Sequence, residues 1–212
     1  MKKLCALLLF LLSGCASQSI TEYKLGNLNY SNEPVGLYLI PVFGADSSIV
    51  ADLEKRLQKQ HGLRVVTTTY MGLDAQHFDI GHQQFIAEEI AKTANVVLSR
   101  LRNNLKTPAI VIIPGDMNSN EFRLRFLFSM HFFNDRTTVL SLARIDPRSY
   151  RQPANHDLVV DRATKLINKA LGFHLYGYQA SSDMGNVMYG PIMGLDDLDQ
   201  VNMWYKNSNI GQ

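Results

Sequence analysis

The fold is decided by the stretch Lys169–Tyr189, which reads KALGFHLYGYQASSDMGNVMY. Its first part is the end of a helix predicted over Asp157–Tyr176, in which Leu166 and Ala170 lie on an inward apolar stripe at helical spacing. A loop follows, and the stretch closes on the apolar segment Val187–Tyr189. The remainder of the chain indicates which fold surrounds this helix end.

The N-terminus is predicted to be a targeting segment. Lys2 and Lys3 precede a short apolar run, Leu4–Leu12, which cannot span a bilayer as a helix. The run ends in Leu-Ser-Gly-Cys at residues 12–15, which resembles the lipobox of bacterial lipoproteins. In those proteins the cysteine is acylated and becomes the new N-terminus. The sequence therefore predicts a lipoprotein signal peptide over residues 1–14 and lipidation, for example by palmitate, at Cys15.

This lipid would anchor the protein in the membrane of a bacterial cell envelope. Ala16, rather than Asp, follows Cys15, which in enteric-type bacteria indicates the outer membrane, facing the periplasm. The alternative is an ordinary secretory signal with an incidental cysteine.

Signal cleavage changes the charge and the thiol content. The full chain has 21 basic and 19 acidic residues, and the loss of Lys2 and Lys3 leaves 19 of each. A neutral mature chain gives no general electrostatic argument for binding nucleic acid. Cys5 leaves with the signal and Cys15 carries lipid, so no thiol remains for a disulfide and the core must provide the stability.

The mature chain is predicted to contain one domain. Residues 15–34 are polar and weakly patterned, which is typical of a flexible tether. Residues 35–212 have the length and hydrophobic content of a single globular domain with a proper core.

Strands and helices alternate in the first half of this domain. The predicted elements are a strand at Gly36–Val42, a helix from about Asp46 to Gln60, a strand at Leu63–Thr68, a helix at Gln83–Asn104 and a strand at Ala109–Ile113. This order favours parallel pairing with crossover helices.

The second half supplies the edge of the sheet and the last helices. Apolar and polar residues alternate over Glu121–Phe133, which predicts an edge strand with one polar face. Thr137–Ile145 is predicted as a strand, and Leu195–Tyr205 as a short helix after Asp157–Tyr176. The predicted class is α/β, with a five-stranded mixed sheet, an antiparallel edge strand and two large helices before the helix that ends at Tyr176.

Four separated segments match one known family in order and spacing. They are Gly72–Gln84 with its Phe78-Asp79 pair, Thr138–Ile145, Asp161-Arg162 and Asn186–Met188. Together they resemble the archaemetzincin family of metzincin zinc peptidases. The resemblance implies a zincin-like fold with a twisted mixed sheet, an active-site helix and a Met-turn at Met188.

A metzincin site, as the resemblance implies it, carries two histidines four residues apart on one helix face that bind zinc. The glutamate between them is the general base, and a third histidine follows a glycine. Here the ligand positions hold Lys169, Phe173 and Gln179, and the base position holds Ala170. Protonated Lys and Phe have no lone pair to offer, and Gln is a poor zinc ligand. Tyr176 stands at the glycine position.

The leading hypothesis is therefore a catalytically inactive metallopeptidase-like protein, or pseudoprotease, that holds no cofactor. It would bind a peptide or protein partner in the former cleft, where Lys169 supplies a positive charge or extends to solvent. One alternative is an active zinc-dependent peptidase with a non-standard ligand set drawn from His174, His77 or His82. Another is a structural subunit of a larger envelope complex.

Overall fold

The computed structural model describes residues 34–101 and 106–206. The strands are β1 (Leu37–Pro41), β2 (Val65–Thr67), β3 (Phe78–Asp79), β4 (Gln84–Ile86), β5 (Ala109–Ile113), β6 (Met117–Asn118), β7 (Ser129–Phe132) and β8 (Thr137–Ser141). The helices are α1 (Ser47–His61), α2 (Ala87–Leu101), α3 (His156–Leu171) and α4 (Leu195–Gln200). The predicted signal peptide, Cys15 and all but the last residue of the tether lie outside the described residues. In the described part of the chain, no helix combines the length and hydrophobicity needed to cross a membrane.

The centre of the domain is a mixed sheet in the order β2-β1-β5-β8-β7. Its strands pair in parallel except β7, which is antiparallel to β8. The predicted mixed α/β class is therefore confirmed. Every residue of β1, β5 and β8 is buried, because helices cover both faces of the sheet.

Two apolar cores lie on the two faces of the sheet. Alternate strand residues such as Leu37 and Leu39 pack with α1 and α3 in one core. Their neighbours Tyr38 and Ile40 point the other way and pack with α2. The helix α3, whose last residues begin the Lys169–Tyr189 stretch, therefore lies on the same side of the sheet as α1.

The predicted edge strand over Glu121–Phe133 is wrong in its extent. Only Ser129–Phe132 pairs with β8, and residues 121–128 form a loop. Ser119 and Leu124 exchange backbone hydrogen bonds, and Arg123 adopts a positive φ of 53°, so the chain turns back before the strand begins. The alternating residues 121–128 therefore lie on a loop rather than on a strand.

The start of the predicted long helix is also wrong. The helix was expected from Gln83, but the chain forms β4 first and α2 begins at Ala87. Gln83 has a φ of 55°, which is incompatible with a helix, and the Phe85 amide donates to the Asp116 carbonyl. These contacts build a small second sheet in the order β3-β4-β6.

Both predicted C-terminal helices are shorter than expected as regular α-helices. α3 ends at Leu171 and continues as a π-helical turn over Gly172–Tyr176. The last helix ends at Gln200 rather than Tyr205, because Val201 leaves the helical conformation with a ψ of 135°.

Arg162 ties α3 to the C-terminal segment. Its buried guanidinium donates two parallel hydrogen bonds to the Asp199 carboxylate, at 2.7 and 2.6 Å, and a third to the Ile145 carbonyl at 2.8 Å. Paired forks of this kind fix orientation as well as distance. The Arg162–Asp199 pair therefore sets how α3 lies against α4.

We expect Asp199→Ala to lower the free energy of unfolding by about 2 to 3 kcal/mol, because it leaves the Arg162 guanidinium buried without its counter-ion. Urea denaturation measures this change. Asp196→Ala, at an exposed residue of the same helix, is the matched control and should alter stability by less than about 0.5 kcal/mol. Equal effects of the two substitutions would contradict this role for Arg162.

Candidate functional site

A cleft of about 120 Å³ lies between α3 and the chain leading into β7. Leu166 and Lys169 of α3 form one wall, residues 126–129 form the other, and Ile192 contributes from the C-terminal segment. The walls are mostly apolar, and Lys169 brings the one charged side chain among the described residues that line this cleft.

Lys169 is held by the backbone of the segment that contains Met188. Its ammonium donates a hydrogen bond of 2.6 Å to the Tyr189 carbonyl. Burial lowers the pKa of Lys169 to about 8, because the charged form loses hydration in the cleft. No carboxylate of the described residues forms an ion pair with it. The first predicted zinc-ligand position therefore holds a cation that joins α3 to the following turn.

The other predicted site residues of the helix are turned toward protein. Ala170, at the base position, is fully buried in the core that α3 shares with the sheet. Phe173 is half-buried and packs edge-on against His131 and Phe133, with ring centroids 5.1 and 5.5 Å apart. At the second ligand position, the Phe173 ring therefore packs beside β7.

Tyr176 does not enter the cleft. Its hydroxyl lies 3.0 Å from Nδ1 of His61, on the side of the helix that faces α1. The turn that the resemblance assigns to residue 176 is made by Gly177, which has a φ of 69° and ends the π-helical turn. The positive φ falls at residue 177, one residue after the position that the resemblance assigns to the glycine. Residue 176 therefore needs no positive φ, so a tyrosine is tolerated there. Gln179 follows in an exposed loop.

Met188 lies directly beneath the end of α3. It is fully buried, and a Cβ atom on Gly172 would overlap its sulfur. The Asn186 side-chain oxygen accepts from the Met188 amide at 3.0 Å, and the Tyr189 amide donates to the Asn186 carbonyl at 2.9 Å. Asn186 thus shapes a tight turn that presses Met188 against Gly172.

Two histidines that were not expected to be partners meet beside the cleft. His131 Nδ1 and His174 Nε2 each lie 2.9 Å from the Thr138 hydroxyl. The pKa of His131 is lowered to about 3, first by burial and then by the positive charges of His174 and Lys169. The pairing of His131 with Thr138 across β7 and β8 creates this cluster, and no local pattern in the sequence indicates it.

The histidines of the proposed non-standard ligand set lie apart. His77 is buried against Thr93 of α2, on the opposite face of the sheet from His174. His82 binds the Asp79 carboxylate at 2.7 Å beside the small sheet. Among the residues that the structure describes, no three His, Cys, Asp or Glu side chains come together as a metal site.

The side chains at the predicted metal positions do not fit zinc. The Lys169 ammonium is committed to a carbonyl, Phe173 offers a ring in an aromatic cluster, and Gln179 is an exposed amide. Zinc in proteins takes thiolate, imidazole or carboxylate donors. These three side chains therefore could not hold a catalytic zinc ion.

Two of the segments that resemble archaemetzincins meet at Asp116. Arg144 donates two hydrogen bonds to the Asp116 carboxylate, at 2.7 and 2.5 Å, and Gln84 donates to the same carboxylate at 2.7 Å. Gln84 also donates to the Arg125 carbonyl, and the Arg144 guanidinium lies 4.7 Å from the centre of the Phe126 ring. This network holds the loop that forms the outer wall of the cleft.

Stability at alkaline pH should report the burial of Lys169. Its pKa is about 8 in the folded protein, against an ordinary value of 10.5. Between these values the unfolded chain binds more protons, so this group makes stability rise with pH, by roughly 1 kcal/mol per pH unit. Lys169→Met should remove that rise between pH 8 and 9.5 in denaturation curves. Lys55→Met, at an exposed lysine of α1, should keep it. Parallel curves for wild type and Lys169→Met would contradict the buried position.

Comparison with known proteins agrees with this fold. No protein-family model matches the chain. An archaemetzincin from Pyrococcus abyssi is 25% identical over 158 residues, which cover 72% of this chain and 81% of that protein.

Solved structures show the same fold at lower identity. A zinc-dependent peptidase from Methanocorpusculum labreanum has a TM-score of 0.71 at 19% identity, covering 81% of this chain and 96% of its own. An archaemetzincin from Archaeoglobus fulgidus, complexed with malonate, has a TM-score of 0.62 at 18% identity, covering 81% and 95%. One from Methanopyrus kandleri has a TM-score of 0.63 at 20% identity, covering 85% and 93%. The predicted resemblance is confirmed: the chain is similar to archaemetzincins in sequence and has their fold.

Proposed function

We propose that the chain is a lipid-anchored envelope protein whose archaemetzincin-like domain binds a peptide or protein partner without hydrolysing it. The observation that carries this proposal is the hydrogen bond from Lys169 to the Tyr189 carbonyl. It puts an ammonium group where the resemblance places the first metal ligand. An ammonium group cannot donate a lone pair to zinc while it is protonated.

The base position supports the same conclusion. A hydrolytic metal site needs a carboxylate close to the metal-bound water. Ala170 has no such group and is buried in the core. The lower part of the site is kept, with Met188 as the proposed Met-turn residue beneath Gly172. A retained scaffold without ligands or base favours binding over catalysis.

The cleft itself is suited to an extended partner. β7 is at the edge of the central sheet, so its outer backbone groups are available for pairing with an added strand. Phe126 and Phe133, at the two ends of this edge, are 46% and 62% exposed. Exposed aromatic side chains beside a groove are typical of a binding surface. A partner could therefore lie along β7 with one side chain in the cleft.

The anchor is part of the proposal. Lipid on Cys15 would hold the domain at a bacterial membrane, and the lipobox-like sequence with Ala16 after the cysteine favours the outer membrane and the periplasmic side. The polar residues 15–34 would join the lipid to the domain. The balanced charge of the mature chain gives no reason to propose a nucleic-acid partner.

An active peptidase is the competing function, because one structural relative is described as a zinc-dependent peptidase. The observation in its favour is that His131 and His174 both contact Thr138, with ring centroids 6.0 Å apart. Two imidazoles at this spacing could hold a metal only with a further ligand from a substrate or from water.

One experiment tests both parts of the proposal. The full chain and Cys15→Ser are produced in a Gram-negative host, and membrane and soluble fractions are compared. We expect the full chain in the membrane fraction and Cys15→Ser in the soluble fraction. The soluble protein is then assayed for zinc by mass spectrometry and for cleavage of a peptide mixture, and we expect neither stoichiometric zinc nor products.

Specific outcomes would overturn each part. One zinc per chain together with peptide cleavage, both lost in His174→Ala, would establish the active peptidase instead. His156→Ala is the control, since His156 pairs with Asp52 on α1, away from the cleft. An unchanged membrane fraction for Cys15→Ser would contradict the lipid anchor.

A further inference from the structure

We propose that the cleft beside Lys169 receives the C-terminal carboxylate of a peptide or protein that ends in an apolar residue. This inference rests on the proposed function, that the cleft binds a partner without cutting it, and it names the chemical class of that partner.

The charge of Lys169 favours an anionic ligand. Lys169 is largely buried at the cleft, yet its charge has no carboxylate counterpart among the described residues that line it. Buried charges in proteins are normally paired, because an unpaired one loses hydration without compensation. An ammonium group has three N–H donors, and the Tyr189 carbonyl accepts from one of them. An incoming carboxylate can accept from the remaining donors and supply the missing negative charge.

The size of the cleft favours a single side chain. The cleft has a volume of about 120 Å³, which is well below that of pockets for drug-sized ligands. Beside Lys169 and Ser129, its lining contains the apolar residues Leu127, Phe128, Leu166 and Ile192. A space of this size and polarity suits one aliphatic or aromatic side chain.

The charge and the size of the cleft together favour the C-terminus of a chain. In a C-terminal residue the carboxylate and the side chain leave the same Cα atom, so one residue can reach the ammonium and fill the apolar space. An internal apolar residue would leave Lys169 without a counter-ion. An Asp or Glu side chain would pair with Lys169 but leave the apolar space empty. Neither ligand would both pair with the Lys169 ammonium group and fill the apolar space.

Contacts within the protein hold the outer wall of the cleft in place before any ligand binds. Phe126 lines the cleft and is held under the Arg144 guanidinium, which is itself fixed by two hydrogen bonds to Asp116. A wall fixed in advance reduces the entropy lost on binding. The exposed part of the Phe126 ring offers a surface for the residues that precede the partner's terminus.

The test uses two pools of N-acetylated pentapeptides, each with four random positions and a final Leu, Ile, Val, Phe or Met. One pool ends in a free carboxylate and the other in a carboxamide. Each is passed over the immobilised soluble Cys15→Ser chain, and retained peptides are quantified by mass spectrometry. We expect the free acids to be retained at least about tenfold better than the amides, because a hydrogen bond between two charged groups is lost in the amide.

Variants of Lys169 test whether the preference for free acids arises at this cleft. Lys169→Met should abolish the preference for free acids, and Lys169→Arg should keep part of it. Lys55→Met, at an exposed lysine of α1, is the matched control and should behave as wild type. Circular dichroism establishes that each variant is folded, and the comparison of acid with amide on the wild-type chain does not depend on any variant.

The outcomes separate this inference from the proposed function. Equal retention of acids and amides would overturn the inference and leave partner binding intact. Retention of neither pool would also overturn it. Appearance of cleaved peptides in the eluate would overturn the proposed function itself.

Discussion

The position of α3 between the sheet and the C-terminal segment is the constraint on which the rest of the site depends. One face of the helix packs into the core with β5 and β8, and its buried polar side chains each have a defined partner. Arg162 pairs with Asp199, and Asn168 contacts His61 Nε2 at 2.9 Å and donates to the Met203 carbonyl. Rotation of the helix would leave these groups buried and unpaired, at a cost of about 1 to 3 kcal/mol each. The helix therefore has one orientation, and that orientation points Lys169 at the cleft.

Lys169 changes what this cleft can attract. A zinc ion in such a site activates water and polarises a carbonyl, whereas an ammonium group attracts anions and donates hydrogen bonds but supplies no activated water. The apolar walls strengthen its interaction with a carboxylate and weaken its own charged form, which is why its pKa lies near 8. We propose that the same scaffold keeps a cleft for peptides without the chemistry that cuts them. The Asn186–Tyr189 turn has two roles. Its Met188 side chain packs against Gly172, and its Tyr189 carbonyl accepts the hydrogen bond from Lys169.

Some elements of this structure could be predicted from the local sequence, and others could not. The β5 strand occupies the predicted residues Ala109–Ile113, because a short apolar run of mostly β-branched residues favours a strand that is buried on both faces. Alternation of apolar residues predicts a strand around Arg123, but it does not reveal the positive φ of Arg123 or the lack of a pairing strand. At the site, the sequence placed Lys169 on the helix, but it could not show that the turn comes at Gly177. The contact of His131 with Thr138 depends on strand register, which only the folded chain sets.

We propose that the metallopeptidase scaffold is retained while the side chains at its metal-binding and base positions have been replaced. A zinc titration of the variant Lys169→His, Phe173→His and Gln179→His tests this most directly, with the wild-type chain beside it and circular dichroism to establish folding. We expect one zinc ion per chain to bind the variant and none to bind the wild type, because three imidazoles restore the donor set that zinc prefers. Stoichiometric zinc on the wild type, or none on the folded variant, would contradict the account.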